Sequence, residues 1–283
     1  MAHTQVTSWL MEPPPVHQGR IAGTRWDPSL YLKFSDHRLR PALELLDRVP
    51  LESPEVIYDL GCGSGHATLI MADRWPGATV YGIDNSKDML AEAAAQPGRV
   101  RWIEADLRTW SPDDAPSLIY SNATLQWVEA HRELFVRLVG YLQAGGCLAV
   151  QMPLSWDAPS HRLMRETLTS GGPNGKALGT EDFRRAVSRK WVQDAEVYYD
   201  WLAPHCRQVD VWETEYLQVL EGDEPVLEWV KATGLRPILV GLDERERKIF
   251  LAKYARQLRA AYPPQPDGRT LYRFRRLFIV ATL

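Results

Sequence analysis

The run Asp59-Leu60-Gly61-Cys62-Gly63-Ser64-Gly65 places three glycines at alternate positions behind a carboxylate. Glycine lets a chain turn tightly and lets a ligand come into van der Waals contact with the backbone. A helix beginning just after such a turn offers unpaired N–H groups to the same ligand. The spacing narrows the ligand: a dinucleotide fingerprint needs G-x-G-x-x-G, whereas here the third glycine follows after one residue and position 66 is His. No Lys-Ser or Lys-Thr pair follows the glycines, which excludes a P-loop. Asp59 would repel a pyrophosphate and suits a cationic or amine-bearing ligand.

Two further carboxylates recur at matching places. Asp84 ends the run Tyr81-Gly82-Ile83-Asp84, 25 positions after Asp59, where a carboxylate can accept both hydroxyls of a ribose. Asp106 follows Glu104-Ala105 and could accept from an adenine amino group while the Leu107 N–H donates to the ring. Ser121-Asn122-Ala123 closes a fourth apolar run. Each aspartate also has a plainer reading. Asp84, followed by Ser86, could be a helix N-cap, and Asp106 could serve a turn. Trp102, Trp110 and Trp127 read by default as core or edge aromatics.

The elements that must position these residues are short apolar runs alternating with amphipathic segments. Strands are expected at Val56 to Leu60, Thr79 to Ile83, Val100 to Glu104, Ser117 to Tyr120 and Cys147 to Gln151. Between them lie helical segments His66 to Trp75, Lys87 to Ala95 and His131 to Leu142, the last closed by Gly145 and Gly146. An earlier helix is expected to start at Pro41 and to end near Pro50. Such alternation implies right-handed crossovers and a doubly wound α/β fold, a mostly parallel sheet with helices on both faces. After Gln151 the rhythm breaks. Residues 153–190 are rich in Pro, Ser, Gly and charge, which marks an insertion with a loop between helical pieces. Beyond it we expect a helix from Val192 to Leu202, a strand from Gln208 to Tyr216, helices over Pro225 to Thr233 and Glu244 to Tyr262, and a last strand from Arg273 to Ala281.

Composition excludes several functions. Over 283 residues, 33 Lys+Arg face 36 Asp+Glu, so no global field draws nucleic acid or an anionic membrane. No apolar stretch is long enough to span a bilayer, and no basic then apolar leader is visible, so a cytoplasmic protein is expected. Cys62, Cys147 and Cys206 are odd in number and widely spaced, which points to neither a disulfide framework nor a metal site. The first 25 residues, with Pro13, Pro14 and Pro15, are expected to form an N-terminal extension outside the fold, leaving a domain over 26–283.

Taken together, the four strand-end positions resemble the class I S-adenosylmethionine-dependent methyltransferases. The likeness extends below that superfamily. Trp26 to Phe34, Arg40-Pro41-Ala42, Asp59 to Gly65, Asn122 to Trp127, Gln151-Met152-Pro153, Leu163 to Glu166, Ala232 to Pro237 and Arg276 to Ala281 are similar to segments of the bacterial trans-aconitate 2-methyltransferases. The resemblance runs from about Trp26 to the C-terminus. The chain departs from the family in its N-terminal extension and in the basic, glycine-rich stretch from Ser170 to Lys190.

The resemblance implies a seven-stranded Rossmann-like sheet, with a cofactor-binding half over 51–152 and a substrate-side helical insertion over about 153–205. It implies S-adenosylmethionine held by Asp59, Gly61, Gly63, Gly65, Asp84, Asn85, Met89, Asp106, Leu107, Asn122 and Trp127. It also implies methyl transfer to a carboxylate of trans-aconitate, giving a monomethyl ester. Such a nucleophile is already ionised at neutral pH, so no general base is expected. A tricarboxylate needs cations, and Arg binds carboxylates bidentately. Arg236, Arg275 and Arg276 are the leading candidates, followed by His161, Arg165 and Arg38, and for each the plainer reading is a solvated surface charge. Two other functions stay open: methylation of another small acid, amine or natural product, and a nucleotide-dependent oxidoreductase or ligand sensor on the same fold.

Overall fold

The computed structural model describes the chain from Ser35 to Leu283, with side chains from Leu39 onward. The expected N-terminal extension, the segment Trp26 to Phe34 and the side chain of Arg38 lie outside the described residues. Seven strands form one sheet in the order β3-β2-β1-β4-β5-β7-β6. They are β1 (Val56–Leu60), β2 (Thr79–Asp84), β3 (Val100–Glu104), β4 (Leu118–Asn122), β5 (Cys147–Pro153), β6 (Gln208–Leu220) and β7 (Thr270–Thr282). Neighbours among β1 to β5 are parallel, and β7 runs antiparallel to β5 and β6. The chain leaves β1 for β2 on one side and returns to β4 on the other. That reversal opens a crevice beyond the carboxyl ends of β1 and β4, where ligands of open α/β sheets bind.

Both faces of the sheet are covered. Helices α1 (Ser35–Asp47) and α2 (His66–Arg74) supply Leu45, Leu46 and Met71 against Ile57, Val80, Tyr120 and Phe278. After α3 (Lys87–Ala94), helices α4 (His131–Tyr141) and α7 (Ala195–Leu202) cover the opposite face, where Leu134, Phe135, Tyr198 and Leu202 meet Tyr58, Ile119, Val150 and Ile279. A third core lies off the sheet. It joins α5 (Pro159–Ser170), α6 (Glu181–Val187), α8 (Pro225–Lys231), α9 (Arg236–Gly241) and α10 (Glu244–Ala261) through Met164, Leu168, Trp229, Ile238, Phe250 and Tyr254. These helices stand on a two-stranded ribbon, because β5 pairs only with positions 276–282 of β7 while positions 270–275 continue in register with β6 beyond it. Of the stretch 153–205, then, α5 and α6 pack with α8 to α10, whereas α7 packs against the main sheet.

Three local readings need correction. Pro41 sits inside α1 rather than opening it. It leaves one helical hydrogen bond unmade, and burial of Leu45, Leu46 and Val49 nearby offsets the loss. Arg236, which reads from the sequence as a turn residue ahead of Pro237, does not lie in a turn. It opens α9, with Pro237 in the first turn, where a missing N–H costs little. The last two strands are longer than the apolar runs indicated, since their outer halves form the ribbon and read as mixed polar sequence.

Candidate active site

The glycine turn is pinned to the neighbouring strand. The N–H groups of Gly61 and Cys62 both donate to the Ile83 carbonyl, at 2.7 and 3.0 Å. All three glycines have positive φ, at 75°, 54° and 84° for Gly61, Gly63 and Gly65, a region costly for side-chain-bearing residues. Their surroundings differ. A Cβ on Gly61 would overlap the side chain of Thr124, and one on Gly65 would lie 2.5 Å from the Trp102 ring. A Cβ on Gly63 would meet nothing within 4 Å. Two of the glycines therefore let protein parts approach each other, and Gly63 alone faces open space.

Asp84 is oriented by backbone. The Gly63 N–H donates to its Oδ2 and the Ser86 N–H to its Oδ1, both at 2.9 Å. The N-cap of α3 is Ser86, whose hydroxyl accepts from the Met89 N–H. Asp84 is thus not the helix cap. Each of its oxygens keeps lone-pair capacity for a further donor, as a ribose diol requires. Asn85 beside it is exposed.

Asp59 is 2% exposed and accepts from the Thr68 hydroxyl at 2.6 Å, tying the end of β1 to α2. Burial, with a smaller contribution from the Asp84 charge, pushes its carboxyl up to about 7, and the Thr68 bond opposes the shift. The folded protein therefore holds a proton that the unfolded chain releases near 3.8. Between those values the folded state binds more protons, so stability falls as pH rises. Urea unfolding of the ligand-free protein is expected to lose on the order of 4 kcal/mol from this group between about pH 4 and 8. Asp59→Asn should flatten that slope, and an unaltered slope would show that Asp59 is already ionised at pH 5. Burial and the Asp59 and Asp84 charges also drive the Cys62 thiol far up, so it stays protonated and is no nucleophile.

Asp106 behaves differently. Arg108 donates to both of its oxygens and holds the carboxyl below its usual range, while the Arg108 N–H closes a turn on Oδ1 at 3.0 Å. An adenine amino group would have to share this carboxylate with Arg108. The Leu107 carbonyl accepts from Arg137 at 2.8 Å. Trp127 ends a one-turn helix, Leu125–Trp127, and is 54% exposed. Trp102 and Trp110 are packing groups. Trp102 fills the space that Cβ atoms on Gly65 and Gly82 would claim, and Trp110 packs edge-on to Tyr58 at 5.1 Å.

The carboxyl ends of β4 and β5 carry buried amide atoms without hydrogen-bond partners: Oδ1 of Asn122, Oε1 of Gln126 and Nε2 of Gln151. Native proteins rarely leave such atoms unsatisfied. Asn122 pairs in register with Gln151, and Gln126 follows in the one-turn helix Leu125–Trp127 just after β4. Gln151 Oε1 accepts from Arg276 Nη1 at 2.9 Å. Arg276 is 3% exposed, with its guanidinium 4.7 Å from the Phe274 ring centre. Arg275 points to the other face of β7, is exposed and pairs with Glu213. The remaining substrate candidates lie among the helices on the ribbon. His161 contacts the hydroxyls of Ser155 and Ser160 at 3.3 and 3.2 Å. Its burial, with Arg165 nearby, lowers its pKa to about 4, so it is neutral at physiological pH and supplies no positive charge. Arg165 stacks 3.8 Å over Trp156. A Cβ on Gly234, two residues before the exposed Arg236, would stand 3.1 Å from His161 Nε2. Among the described residues no His, Cys, Asp and Glu cluster could hold a metal, and no helix is long and apolar enough to cross a membrane.

Residues 57–146 match the family model described as a methyltransferase domain. The trans-aconitate 2-methyltransferase of Pseudomonas paraeruginosa is 48% identical over 260 residues, 92% of this chain and 94% of that protein. The enzyme of that name from Shigella flexneri is 44% identical over 90% of this chain and 97% of its own. The chain belongs to the trans-aconitate 2-methyltransferase family. Solved structures agree on the fold: the YcgJ protein of Bacillus subtilis superposes with a TM-score of 0.54 at 13% identity, covering 86% of this chain and 98% of that one. Phosphoethanolamine N-methyltransferase 2 of Haemonchus contortus, solved with S-adenosylhomocysteine, gives 0.50 at 17% identity, covering 86% of this chain. This chain spans about half of that enzyme, 52%. Within the trans-aconitate 2-methyltransferase family frame, sequence reasoning did not single out Thr68, Gln126 or Gln151 as site residues. Gln126 and Gln151 do fall in segments that resemble the family, Asn122 to Trp127 and Gln151-Met152-Pro153.

Proposed function

We propose that this protein methylates a carboxylate of trans-aconitate, giving a monomethyl ester, and does so in the cytoplasm, where its three free cysteines would stay reduced. Membership of the trans-aconitate 2-methyltransferase family carries the reading, and the crevice supports it. S-adenosylmethionine, when bound, supplies a methyl group on a sulfonium, which a carboxylate oxygen can take as S-adenosylhomocysteine departs. The residues present fit that cofactor. Gly63 leaves open space beside the turn, and Asp84 is oriented with acceptor capacity to spare. Asn122 Oδ1 and Gln126 Oε1 are buried acceptors that want a donor or a positive charge. Asp59, Gly61, Gly65, Asn85, Met89, Asp106, Leu107 and Trp127 complete the proposed cofactor surround. On the acid side Arg276 brings a buried positive charge to the end of β5, with Arg236, Arg165 and His161 on the overlying helices.

No side chain has to move a proton, because a carboxylic acid with a reference pKa of about 4 reaches the site ionised. Alignment of the two reactants and exclusion of water supply the acceleration. The test is the pH profile of kcat at saturating cofactor, a condition that removes any effect of Asp59 ionisation on cofactor affinity. It should be flat from about pH 6.5 to 8.5, and neutral His161 adds no inflection there. A steep rise through pH 7 to 9 would mean an amine or hydroxyl acceptor.

A further inference from the structure

We propose that Gln151 is the residue that grips the substrate carboxylate, with Arg276 as its positioning residue; the inference rests on the reading above that the acceptor is a carboxylate. The unsatisfied atoms at the crevice divide by polarity. Asn122 Oδ1 and Gln126 Oε1 are acceptors, and Gln151 Nε2 is a donor. An ammonium or sulfonium completes the first two and an anion completes the third. The reaction needs that separation, since it brings a cationic methyl donor and an anionic acceptor together. Gln151 lies one strand beyond Asn122, on the side of the sheet away from the glycine turn.

Arg276 fixes which end of the amide is presented. Its Nη1 donates to Oε1, so the amide cannot rotate without placing its NH2 group against the guanidinium. The Gln151 side chain is fully buried, and its free N–H faces no competing protein acceptor. Hydrogen bonding to the guanidinium also polarises the amide, which strengthens its N–H as a donor. A buried amide kept only for packing would have both ends satisfied. Here one end is held and the other is buried without a partner.

The experiment is calorimetric titration of trans-aconitate into the protein saturated with S-adenosylhomocysteine, repeated with Gln151→Leu and Gln151→Glu and paired with steady-state kinetics. Gln151→Leu removes the donor. Gln151→Glu keeps Arg276 partnered and guards against a leucine variant that fails to fold. Both should raise Kd and KM for trans-aconitate roughly 30-fold or more, the loss of one hydrogen bond to a charged group. The kcat should change little, and affinity for S-adenosylhomocysteine should stay within about twofold. Arg276→Lys, which keeps the charge and one donor, should recover part of the affinity that Arg276→Met loses. Unchanged trans-aconitate affinity in a folded Gln151→Glu protein overturns the proposal, because the open N–H would then serve only a water. A parallel loss of S-adenosylhomocysteine affinity overturns it too. If the parent protein binds trans-aconitate through Gln151 yet forms no ester, the methyl-transfer reading fails and the carboxylate grip stands.

Discussion

Gly63→Val is expected to abolish S-adenosylmethionine binding, and Gly61→Ala is expected instead to lower stability. The contrast follows from the space each glycine faces. A side chain at position 63 meets no protein atom, so it projects into the volume where we place the cofactor. A β-branched residue at φ 54° is also strained. Gly63→Asn separates the two effects, because asparagine tolerates the left-handed region and still fills the volume. At position 61 the new methyl overlaps Thr124, which also donates to the Gly61 carbonyl at 3.2 Å. Overpacking and backbone strain together should cost about 2 to 4 kcal/mol of stability. Calorimetry with S-adenosylhomocysteine and urea unfolding on the three variants check the pair. A folded Gly63→Asn protein that binds normally would remove the glycine turn from the cofactor site.

The second large effect is on substrate choice. Arg276→Gln should cost about 2 to 4 kcal/mol in kcat/KM for trans-aconitate, because Gln151 loses the guanidinium that orients and polarises its amide and the carboxylate held there loses the field of a buried charge. A monoanionic acid should be penalised much less, since it has no second carboxylate for Gln151 to hold. Discrimination between the two acids should therefore shrink. Equal losses for both, or none for either, would take Arg276 out of the substrate site and leave Arg236 and Arg165 to be tested. Arg275→Gln is the control: that side chain pairs with Glu213 on the exposed face, and exposed pairs contribute little.

The contrast between Arg275 and Arg276 shows where legibility ends. The strand ends that bear Gly61 to Gly65, Asp84 and Asn122 are readable because strand, turn and helix follow one another locally, each with its own composition. Which of two adjacent arginines points inward depends on the face of β7 that each occupies. Leu277, Phe278, Ile279 and Val280 are all buried, so no period-two pattern marks the faces. The Gln151 to Arg276 bond spans 125 positions and exists only because β7 inserts antiparallel beside β5. Similar reasons hide the helical cap. Pro159 and Pro237 look like breakers, yet each sits in the first turn of a helix. The outer half of the ribbon mixes polar with apolar residues without a clean alternation: Gln218 is buried between the exposed Leu217 and Val219.

The central claim is methyl transfer to a carboxylate, and its most direct test is chemical. S-adenosylmethionine with a labelled methyl group is incubated with the protein and a panel of di- and tricarboxylates, and the products are divided by lability to mild base. Label is expected in a base-labile monomethyl ester of trans-aconitate, with S-adenosylhomocysteine formed in equal amount. Label only in base-stable product, or no labelled ester from any acid by a protein that binds S-adenosylhomocysteine, would contradict it.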